Sequence, residues 1–177
     1  NSGSVVPTYN DILIQLVARS LAEHELLNAA WVNECVYLYD VINIGLAVET
    51  ESGLLAPVLR EVNHLSLSEI VEQSQALIQR ARAGKLNQSQ LDGATFTVSN
   101  LGMLGVDHFT PVLNLPQSAI LGIGRLVEEP VVRNGQIVIG HTLSLSLTFD
   151  HRILDGAPAA RWLQRLCQLI ETLDEEV

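Results

Sequence analysis

Between Leu143 and Phe149 apolar side chains occupy every odd position and hydroxyls (Ser144, Ser146, Thr148) every even one, the period-2 pattern of a strand with one apolar face. Asp150 and His151 follow, then Asp155 and Gly156. A three-and-four spacing at Ala159, Leu163, Leu166, Ile170 and Leu173 then predicts a closing helix. The longest upstream helical pattern runs from Thr8 to Ala30, with Ile12, Leu16, Ala18, Leu21 and Leu26 among its apolar positions. Asn10 or Asp11 is its start signal, and it is expected to end near Asn28. Ser66 to Ala83 reads as another helix. Ser66 and Glu69 stand at capping-box spacing, Leu67, Ile70, Val71, Ser74, Leu77, Ile78 and Ala81 form one stripe, and Gly84 follows its end.

Strand signals fill the remainder. Trp31 to Tyr39 holds a short strand, Asn43 to Thr50 another, and Leu54 to Arg60 is its hairpin partner across Glu51-Ser52-Gly53, with Pro57 marking an edge or a bulge. Thr95 to Ser99 is rich in aromatic and β-branched residues, and Ser118 to Gly124 is a continuous apolar run of the kind buried on both faces. Asn134-Gly135 turns a further hairpin, and Asn100 to Asn114 is a long loop. Helices and strands mix without regular alternation, so the expected fold is α/β, a two-layer sandwich with a mixed sheet.

Composition narrows the function. The 177 residues carry 20 Asp and Glu against 10 Lys and Arg, a formal charge of -10, which argues against nucleic acid as a partner. Cys35 and Cys167 are far apart and form no C-x-x-C, so buried, reduced thiols are expected. No apolar run is long enough for a membrane span, and the first residues lack the pattern of a secretory signal, so the expected location is bacterial cytoplasm or an organellar matrix. No G-x-S-x-G elbow, P-loop or complete G-x-G-x-x-G occurs, and the five histidines show no zinc spacing, so no metal site is expected. His24 and His64 read as surface residues, while His108 lies in the long loop.

The chemistry with the best support is that of His151. If the alternation runs past Phe149 without a bulge, the imidazole points to the apolar side, where desolvation favours the neutral ring that accepts a proton. A histidine at a strand end is more often a hydrogen-bonded structural group than a catalyst. Asp155 is equally the N-cap of the last helix, with Pro158 in its first turn. Ser99, without further context, is an ordinary strand-end hydroxyl.

Several stretches together change that balance. DHRILDGA at 150–157 resembles the D-H-R-x-x-D-G signature of the dihydrolipoamide acyltransferases, the core components of 2-oxo acid dehydrogenase complexes. TFTVSNLGMLGVDHF at 95–109 is similar to that family's T-F-T-I-S-N-L-G segment, and FTPVLNLPQSAILGIG, NIGLAVETESGLLAPVLR and ARAGKL resemble further family stretches. The resemblance covers nearly the whole chain. It implies a chloramphenicol-acetyltransferase-like fold and acyl transfer between a dihydrolipoyl thiol and coenzyme A. His151 would be the general base, Ser99 the hydroxyl that binds the oxyanion, and Asp155 the second acidic position, whose arginine partner is not evident in the sequence. No stretch identifies coenzyme-binding residues.

The resemblance also implies a site shared between subunits of a homotrimer, His151 from one copy and Ser99 from the next, so that a lone chain is catalytically incomplete. Trimers of the family build cubic or dodecahedral cores that serve a decarboxylase and dihydrolipoamide dehydrogenase. Residues 1–177 then correspond to the catalytic domain without its N-terminal strand and helix, and without the lipoyl domain, which would present the lipoyl group, or the peripheral-subunit-binding domain. Two other readings stand beside this one: a non-catalytic core subunit, against which the presence of His151 argues, and a chloramphenicol-type O-acetyltransferase. A hydrolase with Ser99 as nucleophile would require a covalent acyl-enzyme.

Overall fold

The computed structural model describes residues 6–175. Three helices, α1 (Tyr9–Ala22), α2 (Leu67–Arg82) and α3 (Gly156–Glu171), lie against a five-stranded mixed sheet. The sheet strands are β3 (Ile44–Leu46), β6 (Val58–Leu59), β7 (Phe96–Asn100), β8 (Ala119–Ile123) and β11 (Leu145–Phe149), in the spatial order β11-β8-β7-β3-β6. β7 runs parallel to both β3 and β8, and the edge strands β6 and β11 are antiparallel to their neighbours. Three hairpins stand outside it: β1 (Ala29–Val32) with β2 (Cys35–Leu38), β4 (Val48–Thr50) with β5 (Gly53–Leu55), and β9 (Val127–Arg133) with β10 (Gln136–Thr142). This is the expected α/β sandwich. No helix among the described residues is long and apolar enough to cross a membrane.

Local signals account for most of the elements. The capping box of α2 forms as expected from Ser66 and Glu69, and Gly84 follows its end at φ +63°. The β9–β10 hairpin turns at Asn134 and Gly135, both at positive φ, as a two-residue turn matched to strand twist requires. β8 is buried along its whole length.

Four expectations need correction. The first helix is capped by Thr8, reciprocally with Asp11, and stops at Ala22 instead of near Asn28. Asn28 donates from Nδ2 to Tyr39 O and Val41 O, and Ser118 N–H donates to Ala29 O, so long-range partners take residues 28–30 out of the helix. Trp31 to Tyr39 lies within a hairpin, not one strand, because Asn33 and Glu34 both adopt positive φ. The buried stripe of α3 is Ala159, Trp162, Leu166 and Leu169. Trp162 packs on Phe96 with ring centroids 5.6 Å apart, which rotates Leu163 and Ile170 to half-buried positions. Finally, Cys35 is exposed and His24 half-buried; Cys167 is half-buried, and that burial pushes its thiol up.

The two faces of the sheet differ. Val98, Leu121, Leu145, Leu147 and Phe149 pack on the helix side with the core. On the other side the segment 109–117 lies over the strands: Thr148 Oγ1 donates to Pro111 O (2.7 Å), and Thr97 Oγ1 bonds Gln117 Oε1 (2.6 Å). The hydroxyl-bearing positions of β7 and β11 are therefore inner surface beneath a loop.

Candidate active site

β11 ends at Phe149 and the chain turns at once. Asp150 N–H donates to Ser118 O (2.8 Å), while Ile153 N–H and Leu154 N–H donate back to Asp150 O (3.0 and 3.3 Å). The Asp150 carboxylate, 9% exposed, accepts the Arg152 backbone N–H at Oδ1 (3.0 Å) and Arg152 Nε at both oxygens (2.9 and 3.0 Å). That guanidinium lies 5.3 Å from the centroid of the Trp31 ring on β1, within cation–π range. Aspartate, arginine and tryptophan thus clamp the turn that carries His151.

The hydrogen bonds from Arg152 hold the Asp150 carboxyl below the usual carboxylate range, against the upward push of burial. Since the folded-state value is the lower one, the clamp contributes its full stability above the ordinary aspartate range and loses it as the pH falls through the depressed value. The protein should therefore lose unfolding free energy on acidification below about pH 4 more steeply than Asp150→Asn does. Denaturation curves across the acid range read this directly, and parallel slopes for the two proteins would refute it.

His151 occupies the first position of the turn. Its ring rests on the Phe149 ring (centroids 4.8 Å apart), so it keeps to that side of the strand as the alternation predicts. It is not desolvated there: β11 ends at Phe149, and the side chain is 70% exposed. Asp155 sits at the N-cap position of α3 with extended backbone, yet its side chain makes no capping bond. Its Oδ1 lies 3.7 Å from His151 Nδ1, beyond hydrogen-bond length, and the side chain is 89% exposed. The arginine of this region belongs to Asp150, a role for Arg152 and Trp31 that the sequence did not disclose. The D-H-R triplet alone could have suggested the Asp150–Arg152 pair; nothing local marks Trp31.

Ser99 stands near the far end of β7, half-buried, on the face beneath the loop. Its register partner on β8 is Gly122, whose partner on β11 is Ser146. The Ser99 hydroxyl has no hydrogen-bond partner among the described residues. Beyond it Asn100 Oδ1 accepts the Gly102 N–H (2.8 Å) and Nδ2 donates to Asn10 Oδ1 (3.1 Å). A Cβ on Gly102 would meet Gly124 O at 2.6 Å. The S-N-L-G stretch thus needs its glycine so that the chain can fold back across the end of β8.

One chain does not bring these groups together. Ser99 is level with Ser146, and His151 lies five residues further along and two strands across, on the other face of the sheet. At about 3.3 Å per residue and 4.8 Å per strand that is a separation on the order of 20 Å.

The sequence profile of the 2-oxoacid dehydrogenases acyltransferase family (catalytic domain) matches residues 2–176. The chain belongs to that family. Among curated acyltransferases it is 42% identical, over 86% of its length, to the dihydrolipoyllysine-residue acetyltransferase component of the acetoin cleaving system of Bacillus subtilis, and it spans 38% of that protein. Among solved structures, the dihydrolipoamide acetyltransferase of Azotobacter vinelandii superposes with a TM-score of 0.88 at 35% identity, covering 92% of this chain and 68% of that one. The cubic core of a pyruvate dehydrogenase multienzyme complex gives 0.89 at 36% identity, covering 93% and 69%. A chloramphenicol acetyltransferase at 13% identity and a TM-score of 0.50, covering 90% and 76%, shares the fold.

Proposed function

We propose that this acyltransferase domain moves an acyl group between a dihydrolipoyl thiol and coenzyme A, at sites assembled between neighbouring copies of the chain in a homotrimer. The observation that carries the reading is the pairing of an open imidazole at one end of the sheet with an unengaged hydroxyl at the other. Among the described residues each lacks a reaction partner in its own chain, and each gains one if a second copy brings its opposite end alongside. The Azotobacter protein was studied for the catalytic roles of a serine, a histidine 52 positions later and an asparagine four further on. Ser99, His151 and Asp155 have the same spacing, which supports their assignment.

On this reading His151 takes the proton of the attacking thiol. Thiol reference values lie about two units above imidazole, so a positioned neutral ring suffices. The sulfur attacks the thioester carbonyl, the Ser99 hydroxyl donates to the oxyanion that forms, and collapse expels the other thiolate, which recovers the proton from His151. Covering by the second copy would supply the desolvation that the exposed ring lacks in one chain.

Relatives include an acetyltransferase component of a pyruvate dehydrogenase complex, which supports a multienzyme core with decarboxylase and dihydrolipoamide dehydrogenase partners. The lipoyl group would come from a separate domain. The non-catalytic reading is disfavoured because both reacting groups are present.

The test is acyl transfer from acetyl-coenzyme A to dihydrolipoamide by the assembled full-length protein, followed by thioester absorbance. Absence of transfer in an intact trimer would end the proposal. Asp155→Asn keeps an oxygen acceptor near Nδ1 and reproduces the residue type at that spacing in the Azotobacter protein, so kcat should change by less than about tenfold. A larger loss in the same assay would give the carboxylate charge a role of its own.

A further inference from the structure

His151 is held through the residues that flank it. Before it, Asp150 N–H donates to Ser118 O (2.8 Å); after it, the Arg152 N–H and guanidinium both bond the Asp150 carboxylate. The guanidinium is 53% exposed, so without a second contact it would readily exchange the carboxylate for water. The Trp31 ring supplies that contact, with the guanidinium carbon 5.3 Å from its centroid. β1, which carries Trp31, is fixed to the same end of the sheet: Trp31 N–H donates to Pro116 O (3.3 Å), and Ser118 N–H donates to Ala29 O (2.8 Å). Ser118, fully buried, thus holds β1 through its N–H and the His151 turn through its carbonyl. The ring and the guanidinium join the two a second time.

We infer that Trp31 is a positioning residue for the acyl transfer: through Arg152, its ring fixes the turn that sets where the His151 imidazole stands. This rests on the function proposed above. The imidazole is largely open to solvent, so its own packing does little to fix it, and a base must come within hydrogen-bond distance of the thiol it deprotonates. The reach of the ring is therefore set by the backbone of the turn. The residues on either side of His151 are the ones that Ser118 and Trp31 secure, as support behind a reacting group must do. Trp31 acts through Arg152 and Asp150, so its loss belongs in kcat and not in KM.

The experiment measures kcat and KM for transfer from acetyl-coenzyme A to dihydrolipoamide, using the full-length assembly. Trp31→Leu should lower kcat by roughly tenfold to a hundredfold, the loss that follows displacement of a reacting group by about 1 Å, with KM unchanged. Trp31→Phe, which keeps a ring face for the guanidinium, should recover most of the rate. Tyr37→Ala, on the opposite face of the same hairpin and exposed, should leave it unchanged. Arg152→Lys leaves β1 intact but removes the planar fork; it should lower kcat as far as Trp31→Leu, and the double variant no further than either. In a His151→Ala background Trp31→Leu should change the residual rate by less than about twofold, whereas a general loosening of the fold would lower it again. Full kcat in assembled Trp31→Leu, or in Arg152→Lys where Trp31→Leu does not assemble, overturns the inference while leaving acyl transfer standing, and so does a tenfold loss that persists without His151. No transfer by the unaltered protein defeats the function and this inference together.

Discussion

His151→Ala should lower kcat for thiol-to-thiol acyl transfer by about 10²–10⁴-fold, the range for removal of a positioned general base, with KM for coenzyme A nearly unchanged. The ring rests on Phe149, its Nδ1 lies 3.7 Å from Asp155 Oδ1, and it is largely exposed. Its loss should accordingly leave thermal unfolding and the oligomer intact, separating a chemical defect from a structural one. Wild-type rates in the variant would remove His151 from the reaction.

Ser99→Ala should cost about 10²–10³-fold in kcat, the typical loss for one oxyanion donor, again without loss of stability, because the hydroxyl has no hydrogen-bond partner among the described residues. The two variants together test something stronger. If His151 and Ser99 act in one chain, mixing inactive His151→Ala with inactive Ser99→Ala restores nothing. If each site takes its histidine from one copy and its serine from the next, a co-expressed equal mixture contains intact sites wherever a Ser99→Ala copy lends its histidine to a His151→Ala copy. Random assembly around a ring makes that about a quarter of the sites. Recovery near that fraction would establish the shared site, and failure to recover any activity in verified mixed trimers would exclude it.

Much of this was legible in the residues, for reasons that are local. The Ser66–Glu69 box, the Asn134-Gly135 turn and the alternation from Leu143 to Phe149 each specify an element through neighbours a few positions away; the first two form as written, and the third forms a strand from Leu145 onward. The site residues were legible too, but through the company they keep. D-H-R-x-x-D-G and S-N-L-G matter as sets, and the structure supplies their physics: Asp150 clamped to Arg152, and Gly102 pressed against Gly124.

The failures share one cause. Thr8 to Ala30 has an apolar pattern that suits a helix to near Asn28, but Asn28 and Ala29 find partners at Tyr39, Val41 and Ser118, and those bonds outweigh a local preference of tenths of a kcal/mol per residue. The stripe of α3 turned because Phe96, sixty-six positions before Trp162, offered the indole a ring to pack on. Asp155, for which the sequence leaves capping and a site role equally open, takes the cap position without making the bond.

The sequence by itself determined that a strand delivers an imidazole to a turn, that a hydroxyl closes another strand, and that helices and a mixed sheet make up the domain. The tertiary structure alone decided where those two groups stand. Strand order and direction follow from pairings between residues tens of positions apart, and it is the antiparallel run of β11 against β8, beside parallel β7, that sends His151 and Ser99 to opposite ends and opposite faces of one sheet.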